Sequence, residues 1–421
     1  MSRRLLFLAY YYAPHHSVAA IRATAMARHL ADLGWRVTVL TVDGAELAEH
    51  DATLRAEPSS PARLEVIRTA HRLRFLYPAA LRTRNSGLSR IAGGALRLLA
   101  RRFAIEREIG WRVPAQQALG RLSGQRFDVV LSCGSPWLSH ALAAGFARVT
   151  NTPYVLDYRD LWSGHQYTLL APPLGCGRLW ERRLRWGAAA TTIVSPSWLA
   201  VQRDLFGEHP HASVISNGYE EPAAVVPAAL GENEFTMLYA GQFYPPDRTI
   251  TPFLRAYSEL RRRNPDKPLQ LHHVGPSTAH VKEALAAEKS TAGVLCEGRV
   301  PRERALKLLN EAGVVLISAS NQRIANPAIA GMITGKIFEV LAYRKPYLVI
   351  APENSDLYSV VRTAGGGRIF TSDNIAGMAD YLEAVMAGHP PPYVDPAAFS
   401  WETLARQMDG VLTLAATRAG R

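Results

Sequence analysis

The segment from Gly241 to Thr249 carries residues suited to binding a phosphorylated ligand. It directly follows the apolar run FTMLYAG, which predicts a buried strand. A glycine at a strand end allows backbone N–H groups to approach a phosphate, and Arg248 lies where a cation could reach a diphosphate. An ordinary loop between a strand and a helix is the competing interpretation of the same residues.

A second segment, from Ala330 to Ile350, combines a lysine and a glutamate near a predicted helix start. Thr334, Gly335 and Lys336 are expected to form the first turn, where backbone amides and the ammonium group attract an anion. Glu339, one turn later, is placed to accept hydrogen bonds from sugar hydroxyls. The spacing is not that of a Walker A loop. A capped helix with a Lys–Glu surface pair is the alternative.

The third group of polar residues belongs to the first half of the chain. VLDYRDLW places Asp157, Arg159 and Asp160 at the end of a predicted strand. Carboxylates there can act as a base or orient a hydroxyl, and an arginine can neutralise phosphate. A structural Asp–Arg pair explains the same residues. Further residues that follow predicted strands, at the usual ligand positions of open α/β sheets, are His15, His16, Ser17 and Ser135.

The sequence contains no convincing metal or disulfide pattern. The two adjacent histidines have no acidic pair nearby, and no D-x-D motif is present. Cys133, Cys176 and Cys296 are odd in number and far apart, which favours a reducing cytoplasm over a disulfide framework or a zinc site. We therefore expect no metal and no other cofactor.

The segments alternate between apolar strands and amphipathic helices in two successive series. This alternation predicts an α/β protein with two doubly wound Rossmann-like domains, each binding ligands at the carboxyl ends of its strands. A Pro- and Ala-rich stretch separates the two series. The expected boundaries are an N-terminal domain over 1–220, a linker over 221–234, a C-terminal domain over 235–395, and a helix over 396–421 that packs back towards the N-terminal domain.

The chain of 421 residues has a net charge of +12, which indicates an anionic partner. Between His71 and Arg112 there are ten arginines and two glutamates, interleaved with large apolar residues. Such a segment can lie on an anionic membrane surface, although a solvated helix on the N-terminal domain is an equal alternative. No stretch is apolar enough to span a bilayer. We expect a cytoplasmic protein that contacts the inner face of the membrane peripherally through Arg72–Arg112.

The motifs together resemble the family-4 retaining glycosyltransferases, which have the GT-B fold with two domains facing a central cleft. The resemblance rests on the opening LLFLAYYYAPHHS, on SPWLSHALAAGF followed by PYVLDYRDLW, on SVISNGYE, and on MLYAGQF, VLCEGRVPRERALKLLNEAGVVLIS and TGKIFEVLAYRKPYLVI. The R-D-L-W motif is similar to a branch that contains amino-sugar and cell-surface polysaccharide transferases. The resemblance implies an enzyme that moves a sugar from a nucleotide-diphosphate donor to a hydroxyl, with retention and without metal. Separately, the abundance of Ala and Arg indicates a GC-rich genome and thus a bacterial source.

By this resemblance the C-terminal domain binds the donor. The diphosphate would lie against Gly241, Gln242, Arg248, Thr334, Gly335 and Lys336, with the ribose on Glu339 and the base near Arg299 and Val300. The catalytic candidates are Arg159, Asp160, Arg248 and Lys336, and the acceptor-side candidates are His15, His16, Ser17, Ser135 and Asp157. The sequence departs from the family pattern in several places: Gln242 replaces an arginine, Arg248 a lysine, Gly331 the first of two glutamates and Arg159 a histidine. The first loop also lacks the paired glycines of the family.

Other functions remain open from the sequence. A nucleotide-sugar epimerase uses the same fold without an acceptor, whereas a phosphorylase needs a lysine for pyridoxal phosphate, a role for which Lys336 is a poor candidate. A basic nucleic-acid-binding protein is disfavoured because no helix-turn-helix, zinc knuckle or aromatic RNA-binding pattern is present, so we expect no nucleic-acid partner. A non-catalytic sugar-binding relative is a further alternative. The acceptor would be a lipid-linked saccharide or a natural product.

Overall fold

The computed structural model describes residues 2–15, 17–43, 59–72, 106–164, 177–222, 225, 234–288 and 292–418. The chain divides into two compact units. Unit 1 comprises Met1–Asn217 and Trp401–Arg421, and unit 2 comprises Gly218–Ser400. The divisions fall near the predicted boundaries at 220 and 396.

Unit 1 contains a parallel sheet of seven strands in the order β3-β2-β1-β4-β5-β6-β7. The strands are β1 (Arg4–Ala9), β2 (Arg36–Val42), β3 (Leu64–Thr69), β4 (Val129–Gly134), β5 (Tyr154–Tyr158), β6 (Ala190–Ile193) and β7 (Ala212–Val214). The described helices of this unit are α1 (Val18–Asp32), α2 (Arg112–Leu122), α3 (Leu138–Thr150), α4 (Gly177–Gly187), α5 (Pro196–Phe206) and α13 (Trp401–Arg418), the last named in chain order.

The apolar strand runs reflect burial on both faces of the sheet. In β1, Leu5 and Phe7 enter one core cluster, whereas Leu6 and Leu8 enter the cluster on the opposite face. Since successive side chains of a strand point to opposite faces, a strand covered on both sides needs continuous rather than alternating apolar residues. Helix α13 contributes Trp401 and other side chains to the first of these clusters, so the C-terminal helix is part of the core of unit 1.

Unit 2 has a parallel sheet of six strands in the order β10-β9-β8-β11-β12-β13. The strands are β8 (Phe235–Ala240), β9 (Leu269–Val274), β10 (Val294–Glu297), β11 (Val314–Ser318), β12 (Tyr347–Ile350) and β13 (Gly367–Phe370). The described helices are α6 (Thr251–Arg263), α7 (Thr278–Glu288), α8 (Arg302–Glu311), α9 (Pro327–Ala330), α10 (Lys336–Ala342), α11 (Leu357–Ala364) and α12 (Ile375–Met386).

Each sheet has one point at which its strand order reverses. In unit 1 the reversal lies between β1 and β4, and in unit 2 it lies between β8 and β11. The loops that leave such a pair of strands run in opposite directions, which opens a crevice at their carboxyl ends where ligands bind in open α/β sheets. A ligand-binding site is therefore expected at the loops that follow these four strands.

No helix in the described ranges combines the length and the apolar character that crossing a bilayer requires.

Candidate functional site

Lys336 lies at the reversal point of the sheet in unit 2. Helix α10 begins at this residue, with Gly335 as its N-cap. Thr334 and Gly335, the other residues of the predicted first turn, accept hydrogen bonds through their carbonyls from the amides of Ile337 and Phe338, each at 3.2 Å. The ammonium group extends across the end of β8, where a Cβ atom at residue 241 would overlap Lys336 Nζ. Gly241, with φ of +150°, is thus required both by its backbone and by this neighbour.

The Lys336 side chain packs against a stack of aromatic rings. Lys336 Nζ lies 4.7 Å from the ring centroid of Tyr239, a cation–π distance. The Tyr239 ring stacks on Phe243 with centroids 4.1 Å apart, and its hydroxyl donates to the carbonyl of Gln242 at 3.2 Å. His273 Nε2 donates to the carbonyl of Gly241 at 3.2 Å. These contacts hold the backbone of the loop after β8 next to the ammonium group of Lys336.

The electrostatic setting of Lys336 is that of a cation without a counter-ion. Burial lowers its pKa to about 8, and the neighbouring Arg248 acts in the same direction against a smaller opposing effect of Glu339. In the described part of the chain no carboxylate lies within the 4.0 Å of an ion pair with Lys336. A half-buried positive charge that lacks a protein partner is stabilised when an anion binds beside it.

The loops after β8 and β11 are tied to each other. Arg248 Nε donates to the carbonyl of Ala319 at 3.0 Å, and its guanidinium lies 5.3 Å from the ring centroid of Tyr244. Asn321 Nδ2 donates to Thr249 Oγ1 at 2.7 Å. Arg248 therefore contributes its charge from a fixed position on the same side of the sheet as Lys336.

Glu339 forms an ion pair that the sequence did not predict. Its Oε1 accepts a hydrogen bond from Arg302 at 2.7 Å, so the alternative of a Lys336–Glu339 surface pair is wrong. Arg302 begins α8, shortly after the base-side candidates Arg299, which is exposed, and Val300, which is half-buried. The pair brings the start of α8 and the first turn of α10 together, and it leaves the second carboxylate oxygen of Glu339 for a ligand.

Asp157 lies in the core of unit 1 and not on its surface. The side chain is 1% exposed and accepts hydrogen bonds from Arg22 Nε at 2.8 Å, Arg22 Nη2 at 2.7 Å and Thr192 Oγ1 at 2.7 Å. Burial alone would raise the pKa of Asp157, but the contacts with Arg22 dominate and the pKa is lowered. Arg22 also donates to the carbonyls of Ile215 and Ser216.

The structure thus corrects the acceptor-side assignment of Asp157. The alternative of an Asp–Arg pair describes this residue, although the partner is Arg22 and not Arg159. The pairing of Arg22 with Asp157 could not be predicted from the sequence, because the two residues come together only when the chain folds.

Arg159, Asp160 and Ser135 meet at the carboxyl ends of β4 and β5. Arg159 Nη2 donates to the Ser135 carbonyl at 2.6 Å and to its hydroxyl at 3.0 Å. Asp160 Oδ2 lies 3.7 Å from Arg159 Nη1, and its side chain is 41% exposed. Trp162 of the same motif stacks on Trp137 with centroids 5.3 Å apart. The motif therefore contains an arginine–carboxylate pair, Arg159 with Asp160, followed by a tryptophan that stacks on Trp137.

Of the residues after β1, Ser17 is the N-cap of α1 and accepts a hydrogen bond from the amide of Ala20 at 3.1 Å. His15 Nδ1 lies 3.0 Å from Ser17 Oγ. His16 lies outside the described residues. No group of three or more His, Cys, Asp or Glu side chains within the described ranges could hold a metal ion.

Comparisons with known proteins agree with this architecture. Residues 19–218 match the family described as Glycosyl transferase 4-like domain. No curated protein sequence matches the chain significantly. Among solved structures, HepE from Anabaena in complex with UDP is similar with a TM-score of 0.61 and 12% identity, over 97% of this chain and 99% of that chain.

Two further structures are similar along their full length. Sucrose-phosphate synthase from Thermosynechococcus elongatus has a TM-score of 0.58 and 14% identity, over 99% of this chain and 97% of that one. Trehalose 6-phosphate synthase from Burkholderia multivorans has a TM-score of 0.57 and 10% identity, over 100% of both chains. At these identities the likeness establishes the fold. The chain therefore has the GT-B fold, and its residues 19–218 match the family described as Glycosyl transferase 4-like domain.

Proposed function

We propose that the chain transfers a sugar from a nucleoside-diphosphate donor, bound by unit 2, to a hydroxyl group. The observation that carries this proposal is Lys336, a half-buried cation without a counter-ion beside a glycine that leaves space at the strand end. A diphosphate supplies the missing negative charge. Support comes also from the similar Anabaena HepE, whose structures contain UDP, UDP with glucose, and UDP-glucose.

In this proposal the donor follows the loops at the reversal point of the sheet. Lys336 and Arg248 face the diphosphate, and the free oxygen of Glu339 accepts from the ribose hydroxyls while Arg302 holds the carboxylate in place. The base lies at the start of α8. The full set of donor residues is Gly241, Gln242, Arg248, Arg299, Val300, Thr334, Gly335, Lys336 and Glu339.

The transfer proceeds with retention. The acceptor hydroxyl attacks the anomeric carbon on the face from which the diphosphate departs, the bond to the diphosphate oxygen breaks, and the hydroxyl proton passes to that oxygen. Catalysis then consists of stabilising the developing negative charge, which Lys336 and Arg248 do without a metal ion. Arg159 and Asp160, with Ser135 beside them, are the groups in unit 1 that orient the acceptor.

We assign the acceptor to lipid-linked saccharides or natural products, in the synthesis of a bacterial cell-surface polysaccharide or glycolipid. The net charge of +12 favours an acceptor that carries phosphate or is embedded in an anionic surface. Most of the Arg72–Arg112 segment, from 73 to 105, lies outside the described residues. A peripheral location on the cytoplasmic face of the membrane through this segment stays a prediction.

A thermal-shift screen against UDP, GDP, ADP, dTDP and their common sugars tests the donor site. A ligand at about 100 times its Kd stabilises the folded protein by ~2.7 kcal/mol. We expect one base to give a clear shift in the wild type, and Lys336→Ala to lose it together with transfer activity. Lys307→Ala is the matched control, because it removes the same charge from a side chain that is 72% exposed. Absence of any shift, or equal shifts in both variants, would refute the proposed donor site.

A further inference from the structure

Helix α4 exposes an unusual combination of aromatic and basic side chains. Leu179, Trp180 and Trp186 are 69%, 52% and 49% exposed. Between them stand Arg182 and Arg183, which are also exposed. We call these five residues the basic aromatic face. Large apolar side chains that cluster on a surface mark sites of interaction with another molecule, whereas isolated ones do not.

Helical geometry brings these side chains to one side. Leu179, Arg183 and Trp186 follow the i, i+4, i+7 spacing and therefore share the outermost line of the helix. The opposite side, with Leu184 and Arg185, is buried. Trp186 is held in its exposed position, because its Nε1 donates to the carbonyl of Phe206 at 3.2 Å.

The charge of the face is uncompensated. Within the described ranges no ion pair joins Arg182 or Arg183 to a carboxylate. The single glutamate of α4, Glu181, is fully buried, and burial raises its pKa to about 8. It therefore contributes no exposed negative charge to this face. Among the residues that the structure describes, the two arginines beside these tryptophans therefore have no anionic partner.

The apolar area continues beyond the helix. A groove of about 760 Å³ runs between α3, α4 and α13 and is lined by small side chains together with Trp180, Arg183 and Arg148. Two exposed aliphatic residues are the sequence neighbours of residues that line this groove. Val149, which is 75% exposed, follows Arg148, and the exposed Leu414 precedes Ala415. The surface thus combines aromatic rings, aliphatic side chains and arginines, which is the composition of helices that lie in a membrane interface.

We propose that the basic aromatic face docks on an anionic lipid surface. Arg182 and Arg183 reach the lipid phosphates, while Trp180, Trp186 and Leu179 enter the headgroup layer. Complementary charge favours a lipid surface over an apolar protein partner. The exposed aliphatic side chains favour it over nucleic acid, which binds basic groups and stacks its bases on aromatic rings but offers no apolar layer for aliphatic groups. This contact uses none of the proposed donor residues, which belong to unit 2, and none of the residues 73–105.

Vesicle binding of the full chain tests the proposal. The wild type is sedimented with vesicles of phosphatidylcholine containing phosphatidylglycerol, and with phosphatidylcholine alone, at 0.15 M salt, a condition that screens exposed charges beyond about 8 Å. We expect binding to the anionic vesicles only. Arg182→Gln with Arg183→Gln should weaken it roughly thirty-fold, since each basic residue near an anionic surface contributes about fivefold. Trp180→Ser should weaken it with both charges kept.

The control is Arg362→Gln with Arg368→Gln, which removes two exposed arginines from unit 2. It should lower binding much less than the α4 double variant. Equal losses, or unchanged binding of the α4 variants through another basic segment, would overturn the proposal. So would a wild type that ignores vesicles but dimerises or binds RNA through this face. Donor binding measured by thermal shift should be the same in all variants, so failure here and failure of the donor site are distinguishable.

Discussion

Gly241→Ala is the perturbation that most directly tests how Lys336 is positioned. The added Cβ would overlap the Lys336 ammonium group, the far end of a flexible side chain, so the lysine and not the backbone should move. At φ of +150°, alanine adds backbone strain of order 1–3 kcal/mol, which lowers stability without preventing folding. The displaced lysine loses a charge-assisted contact with the diphosphate, worth ~1.5–3 kcal/mol, or about ten- to a hundredfold in Kd.

The assay is calorimetric titration with the preferred nucleoside diphosphate, in the wild type, both single variants and the double variant with Lys336→Ala. If alanine acts by displacing the lysine, Gly241→Ala should have little further effect once the lysine is absent, so the two losses will not add. Gly388→Ala is the control, because that glycine has φ of +85° but no neighbour within 4 Å of an added Cβ. Fully additive losses in the double variant would refute the reasoning.

Three further predictions concern single side chains. Affinity for the nucleotide should be constant below about pH 8 and should fall above it by up to tenfold per pH unit, because Lys336 of the ligand-free protein loses its charge there. Titrations from pH 6 to 10 measure this dependence, which Lys336→Arg should remove. Glu339→Ala should weaken nucleoside diphosphates roughly tenfold and leave pyrophosphate unaffected, and equal weakening of both would exclude a role at the ribose. Asp157→Asn should destabilise unit 1 by ~3–5 kcal/mol in urea unfolding, since it leaves the Arg22 charge buried and unpaired; a variant as stable as wild type would show that the pair is dispensable.

The strands could be predicted well from the sequence, because a strand covered on both faces is a continuous apolar run. Such apolar runs form β1, β2, β4 and β11. The GT-B fold, which was inferred from the order of the elements and from the family resemblance, is confirmed. No prediction covers the stretch from Leu357 to Met386, which forms α11, β13 and α12. Strand β13 is only four residues long, GRIF, and includes a glycine and an arginine, so its pattern is too weak to distinguish from a loop.

For the site, the residue types were predictable but their partners were not. Lys336 stands out in sequence, whereas its support by Tyr239 depends on the pairing of β8 with β11. The pair of Arg302 with Glu339 requires α8 and α10 to meet, which no local pattern indicates. The membership of the R-D-L-W branch and the individual roles in catalysis stay predictions until variants are assayed.

The main chain crosses from unit 1 into unit 2 at Asn217 and returns at Trp401. Unit 2 itself holds its two ends side by side, because Tyr219 and Ser400 form a parallel bridge and the amide of Tyr219 donates to the carbonyl of Phe399 at 3.1 Å. Unit 2 is consequently one uninterrupted cassette with adjacent ends. Adjacent ends are the geometry that tolerates domain exchange. If unit 2 binds the donor as proposed, chimaeras that replace only residues 218–400 will alter donor choice while unit 1, with helix α13, keeps its native sequence.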